Sequence, residues 1–150
     1  MKPTKRMVSS ALKRWGAKLL LGGWRVKWDF SDMESIAPPW APPEDGWVVA
    51  AQTTWDVGNM KAHVLIARDA PWGDRLSLDD FDLVMGHELA HIVLAETGLP
   101  ELVEEIDKVL EAHLTQDALK SLRMRLYAAQ ERVCDRIARV TQENKEDKNV

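Results

Sequence analysis

Three residues on one short stretch could do chemistry together. In "GHELAH" (86–91) two histidines stand four apart, with a glutamate directly after the first. On a helix such residues project from the same face, so the imidazoles of His87 and His91 can meet at one ion about 2 Å from each nitrogen. Glu88 then falls beside the ion rather than on it. There it can serve as general base toward a zinc-bound water, whose pKa the metal lowers to about 7, and can later return the proton to a leaving amine. Two packed core histidines without metal are the alternative. Phe81, Val84, Met85, Leu89 and Ile92 are placed to bury this helix, however, and two imidazoles and a carboxylate buried without partners are costly. One Zn(2+) ion is therefore expected.

A catalytic zinc needs a third protein ligand and an open position. An extended spacing with a further glycine and histidine fails, because Leu94 and Thr97 stand in those places. The segment "YAAQERVCDRIA" (127–138) instead puts Glu131 and Asp135 four apart, with Tyr127 one turn earlier on the same face. A glutamate on the metal and an aspartate accepting a hydrogen bond from a ligand histidine make a coherent pair, the aspartate fixing the tautomer. Val133, Ile137 and Val140 are expected to form a separate apolar stripe, leaving the 127–131–135 face polar. His113 and the carboxylates Glu101, Glu104, Glu105 and Glu111 stay open as alternatives for the third ligand.

The elements that must position these groups can be read from periodicity. Met7, Val8, Ala11, Leu12, Trp15 and Leu19 recur at helical spacing after Pro3, and Gly22-Gly23 closes that helix. "WRVKWDF" (24–30) alternates strictly and reads as a half-buried strand. "PPWAPP" (38–43) reads as a stiff loop. "WVVAAQTTW" (47–55) and "MKAHVLIAR" (60–68) read as an antiparallel hairpin, with Gly58-Asn59 supplying positive φ. The motif helix opens at Ser77, with Asp80 three residues later, and closes at Gly98-Leu99-Pro100. Further helices are expected within 101–114 and from about Asp117 to Gln142, followed by a polar tail over about 143–150. The class is α+β.

Composition bounds the rest. A chain of 150 residues, 45% hydrophobic and 29% charged, fits a single domain, 1–150, with its own core. No apolar run approaches the roughly 20 residues of a membrane-spanning helix, and no secretory signal pattern follows the early basic residues, so a cytoplasmic monomer is expected. Cys134 is the one cysteine, which excludes an internal disulfide and a Cys-rich zinc ribbon; it reads as a small buried hydrophobe. Residues 1–28 carry eight Lys or Arg and no acid, read as a solvated helix face in preference to a nucleic-acid surface. His63 alternates with Val64 and Ile66 and so faces away from them.

"HELAH", then 39 residues, then "ERVCD" resembles the gluzincin pattern, in which a second, glutamate-bearing helix carries Glu-x-x-x-Asp. From about residue 5 to 140 the order of elements is similar to the minimal gluzincins, or minigluzincins, short metallopeptidase-like proteins often encoded by phages and mobile elements. The resemblance implies a zincin-like fold: an N-terminal helix, a small three-stranded, mostly antiparallel twisted sheet, the active-site helix and the glutamate helix. It implies His87, His91 and Glu131 as zinc ligands, Glu88 as general base and acid, and Asp135 as the carboxylate behind a ligand histidine. It also implies an edge strand lining the cleft, along which an extended peptide or protein substrate could add; by order, 60–68 is the candidate. Larger gluzincins stabilise the oxyanion with a Tyr or His from a further subdomain that this chain is too short to hold, and Tyr127 or His113 are the candidates to replace it. The expected activity is zinc-dependent hydrolysis of peptide bonds. The competing reading is a non-catalytic, zinc-stabilised regulatory module that binds nucleic acid or a protein.

Overall fold

The computed structural model describes residues 2–37, 48–73 and 78–143, with side chains except at 78 and 79. The element order is α1 (Lys5–Lys18), β1 (Arg25–Ser31), α2 (Met33–Ile36), β2 (Ala51–Asp56), β3 (Lys61–Ala67), α3 (Leu78–Ala95), α4 (Leu99–Glu111) and α5 (Gln116–Glu143). Among the described residues the fold is thus α+β, five helices with one three-stranded sheet. The Pro-rich loop, Trp47, Ser77 and residues 144–150 lie outside the described residues.

Thr4 caps α1 by accepting from the Met7 N–H at 3.3 Å, and the helix buries Val8, Ala11 and Trp15 as the periodicity predicts. In β1 the half-buried residues are Val26, Trp28 and Phe30, alternating with exposed Arg25, Lys27 and Asp29. Helix α3 buries Phe81, Met85, Leu89 and Ile92 in the same core. Gly98, at φ 72°, takes the left-handed turn that ends α3, and α4 starts at once, with Pro100 in its first turn.

The sheet departs from expectation in two ways. Its order is β1-β3-β2, with β1 parallel to β3 and β2 antiparallel to it, so it is mixed rather than mostly antiparallel. More consequentially, the segment 60–68 forms the central strand β3, not an edge: Val64 is in register with Trp28 on one side and Thr53 on the other. A strand hydrogen-bonded on both sides cannot accept a peptide. Ala62, Val64 and Ile66 are buried on one face of β3, a pattern that an edge strand could equally show, so the pairing alone fixes its place. The edge facing the helices is β2.

The tight turns differ in detail. Asp56 organises the hairpin by accepting from both the backbone N–H (3.1 Å) and side-chain amide (2.7 Å) of Asn59, and Met60, not Gly58 or Asn59, takes the positive φ, 49°. Likewise Leu20, not Gly22 or Gly23, turns left-handed after α1, at φ 58°. No described helix is long and apolar enough to cross a membrane.

Candidate metal centre

Two helices build the centre. Helix α3 crosses α1 so closely that a Cβ added to Gly86 would stand 2.6 Å from the Trp15 ring, so the residue before His87 has to be glycine for α3 to lie where it does. That approach turns the opposite side of α3, with His87, Glu88 and His91, toward β2 and α5. Helix α5 then meets α3 through Cys134 and Ala138, both fully buried, while Val133 and Val140 remain 41% and 50% exposed. Of the predicted stripe Val133, Ile137 and Val140, Ile137 alone packs against the buried cluster around Cys134. The polar 127–131–135 line borders the buried one.

The ligand atoms converge. Glu131 Oε2 is 2.9 Å from His87 Nε2, Glu131 Oε1 is 3.3 Å from His91 Nε2, and the two Nε2 atoms are 3.1 Å apart. Among the described residues these three form the one group of histidine, cysteine or carboxylate ligands able to hold a metal ion, one atom from each lying within 4.8 Å of the others. Two imidazole nitrogens and a carboxylate oxygen are a donor set suited to a borderline divalent ion such as zinc. The outer nitrogens are also engaged: His87 Nδ1 lies 2.8 Å from Asp135 Oδ1, and His91 Nδ1 lies 3.3 Å from Cys134 Sγ.

In the metal-free chain His87 and Glu131 form an ion pair. Burial opposes charge on His87, but the hydrogen bonds it donates to Glu131 and Asp135 and the charges of Glu88 and Glu131 outweigh it and raise its pKa to about 9. Burial likewise works against ionised Glu131, yet His87 and His91 pull it down to about 2. Glu88, only 5% exposed, shifts the other way: desolvation raises it, against the lowering effect of both histidines and of the Thr53 hydroxyl, which donates to Oε2 at 2.7 Å. Burial and the neighbouring acids push the Tyr127 phenol up, and they push Cys134 up to about 12, so both remain protonated at neutral pH.

Above the cluster lies a cleft of about 410 Å³. Thr53 and Trp55 of β2 form one wall, Val103 and Asp107 of α4 face them, and Tyr127 with Glu131 come from α5; Glu88 and His91 reach it from α3. The Trp55 ring lies nearly parallel to that of His91, at 6.1 Å and 13°. Arg123, also on the lining, is held by both oxygens of Asp107 at 2.8–3.0 Å. The outer edge of β2 has no strand partner among the described residues.

Each predicted residue has a definite place. His87, His91 and Glu131 come together, with Asp135 behind His87 and Glu88 beside the cluster. Tyr127 hydrogen-bonds to Glu131 on the cleft wall. His113 is exposed beyond the end of α4 and joins neither the ligand cluster nor the cleft lining. None of the four alternative carboxylates joins the cluster: Glu101 accepts from Trp55 (3.4 Å), Glu104 pairs with Lys108, Glu111 lies 3.6 Å from Arg123, and Glu105 is exposed on α4. His63 pairs with Asp29 at 2.9 Å, on strand faces turned to solvent. Sequence reasoning missed Thr53, Trp55 and the contact of Cys134 with His91. The alternation in "TTW" puts Thr53 and Trp55 on one face, but only tertiary packing turns that face to α3. No protein family, curated protein or solved structure matches the chain.

Proposed function

We propose that the chain is a zinc-dependent metallopeptidase of the gluzincin kind, with a zincin-like fold, acting on peptide bonds of extended substrates laid along the outer edge of β2. The observation that carries this reading is Glu88: a buried, hydrogen-bonded carboxylate beside a three-ligand cluster and opening on the cleft. A purely structural zinc site closes its fourth position with a protein ligand. Among the described residues the cluster offers three, and its side toward the cleft is the one that holds Glu88 and Tyr127.

Zinc held by His87, His91 and Glu131 would supply Lewis acidity, polarising a carbonyl and acidifying water. The remaining work belongs to the chain. Main-chain groups of β2 hydrogen-bond an extended peptide and set the scissile carbonyl over the cluster. Glu88 takes a proton from the attacking water as its oxygen bonds to the carbonyl carbon; the C–N bond then breaks, and Glu88 returns the proton to the departing amine. Burial raises the Glu88 pKa, which favours its taking up the proton. Tyr127, kept protonated, is a cleft-wall donor whose hydroxyl can turn from Glu131 to the developing oxyanion.

The test is Glu88→Gln, assayed on a library of unstructured peptides with zinc content measured in parallel. Zinc should stay at the wild-type level while hydrolysis falls by at least about 100-fold. Undiminished hydrolysis in Glu88→Gln would overturn the mechanism.

A further inference from the structure

We infer that Cys134 is a positioning residue for the metal centre: its thiol is the hydrogen-bond partner of His91 Nδ1 and holds that imidazole with Nε2 facing Glu131 and His87. The inference rests on the proposed metal reading of the cluster.

The geometry is specific to the two ring nitrogens. His91 Nε2 faces inward, 3.3 Å from Glu131 Oε1, while Nδ1, on the other side of the ring, lies 3.3 Å from Cys134 Sγ. The sulfur therefore cannot share an ion with Nε2; it stands behind the ligand. Its apolar neighbours are Ala90, Leu94 and Ile137, among which Cys134 is fully buried. An imidazole that gives Nε2 to a metal carries its proton on Nδ1, and a buried N–H with no acceptor is destabilising. The sulfur is the acceptor that removes this cost.

The parallel with His87 strengthens the assignment. Its Nδ1 is met by Asp135, the residue next to Cys134, so one turn of α5 carries the ligand Glu131 and a partner for each histidine. The two partners differ in kind. Asp135 is a carboxylate with half its side chain in solvent, whereas Cys134 is a sealed thiol, which can donate as well as accept. A thiol can therefore satisfy His91 Nδ1 in either tautomer, leaving no orphaned nitrogen before or after metal uptake.

The test compares Cys134→Ser, which keeps a donor and acceptor, with Cys134→Val, which fills the space without one. Zinc affinity is measured by competition with a chromophoric chelator, and the His91 ring nitrogens are followed by 15N NMR with and without zinc. Cys134→Val should bind zinc about 10-fold more weakly and shift the Nδ1 resonance, while Cys134→Ser stays within about three-fold of wild type. Equal affinity in all three proteins, or equal weakening in both variants, would overturn the inference. If the wild-type chain takes up no zinc, the metal reading fails by itself; the Nδ1 resonance of the metal-free proteins then decides, a shift in Cys134→Val alone supporting the contact and no shift refuting it.

Discussion

Thr53 Oγ1 donates to Glu88 Oε2 at 2.7 Å, so the carboxylate next to the ligand cluster is held by a residue of the strand that walls the cleft. Thr53→Val removes the donor and keeps the shape. Losing one hydrogen bond to a buried charge costs about 1–2 kcal/mol, on the order of 10-fold in kcat. The hydroxyl lowers the Glu88 pKa, so its loss raises that pKa further and moves the acid limb of the activity profile to higher pH. Zinc content should not change. An unaltered pH profile would show that Thr53 does not orient the base.

The metal-free protein should have a bounded window of extra stability from the His87–Glu131 pair. Glu131 sits at about 2 against an unperturbed 4.5, so its contribution is complete above 4.5 and lost as pH falls through about 2. His87 sits at about 9 against 6.5, so its contribution is complete below 6.5 and lost as pH rises through about 9. The His87–Glu131 interaction is the part common to both shifts, so it is counted once, and it is fully present between 4.5 and 6.5. Urea midpoints of chelator-treated protein should therefore fall from pH 6.5 to 9 more in the wild type than in Glu131→Gln. Added zinc should abolish that alkaline loss, because it takes the place of the proton. Parallel curves for the two proteins would contradict this.

Much of the candidate site was legible before any coordinates, and the reasons are local. His87, Glu88 and His91 declare themselves through helical spacing, and Glu131 with Asp135 through the same i, i+4 rule on a second helix. The alternation of Trp24 to Phe30 likewise marks β1, because a half-buried strand leaves a period of two. What stayed hidden depends on pairing between distant segments. Strand order is one case: nothing within 60–68 says that β1 would add parallel on its far side and leave β2 at the edge. The packing face of α5 is another, since Cys134 and Ala138 lie buried because α3 approaches there, while the larger Val133 and Val140 remain partly exposed. Small residues mark close helix approach only once the partner is known.

Gly86 should tolerate no side chain. A Cβ there meets the Trp15 ring at 2.6 Å, and both helices are constrained by the core. Gly86→Ala should cost about 1–3 kcal/mol of stability and, by displacing α3 next to His87, weaken zinc binding. Thermal unfolding and chelator competition check both effects. Combining it with Trp15→Leu should recover part of the zinc affinity; a Gly86→Ala protein as stable as wild type would refute the close approach.

Leu20 invites a stabilising change. It holds φ 58° while 89% exposed, so the strain of its side chain is offset by almost no packing. Leu20→Gly should raise stability by about 0.5–1 kcal/mol, read from the urea midpoint, with zinc affinity unchanged. A fall in stability would mean that the turn after α1 is not left-handed at this position.

The claim on which everything else depends is that His87, His91 and Glu131 hold one ion whose remaining coordination faces the cleft. Zinc-edge X-ray absorption on the chain loaded with one equivalent of metal tests it directly. The account predicts two imidazole nitrogens with oxygen completing the shell at about 2.0–2.1 Å, and no sulfur. A sulfur scatterer at about 2.3 Å, which would put Cys134 on the metal, or a shell lacking the two imidazoles, would contradict it.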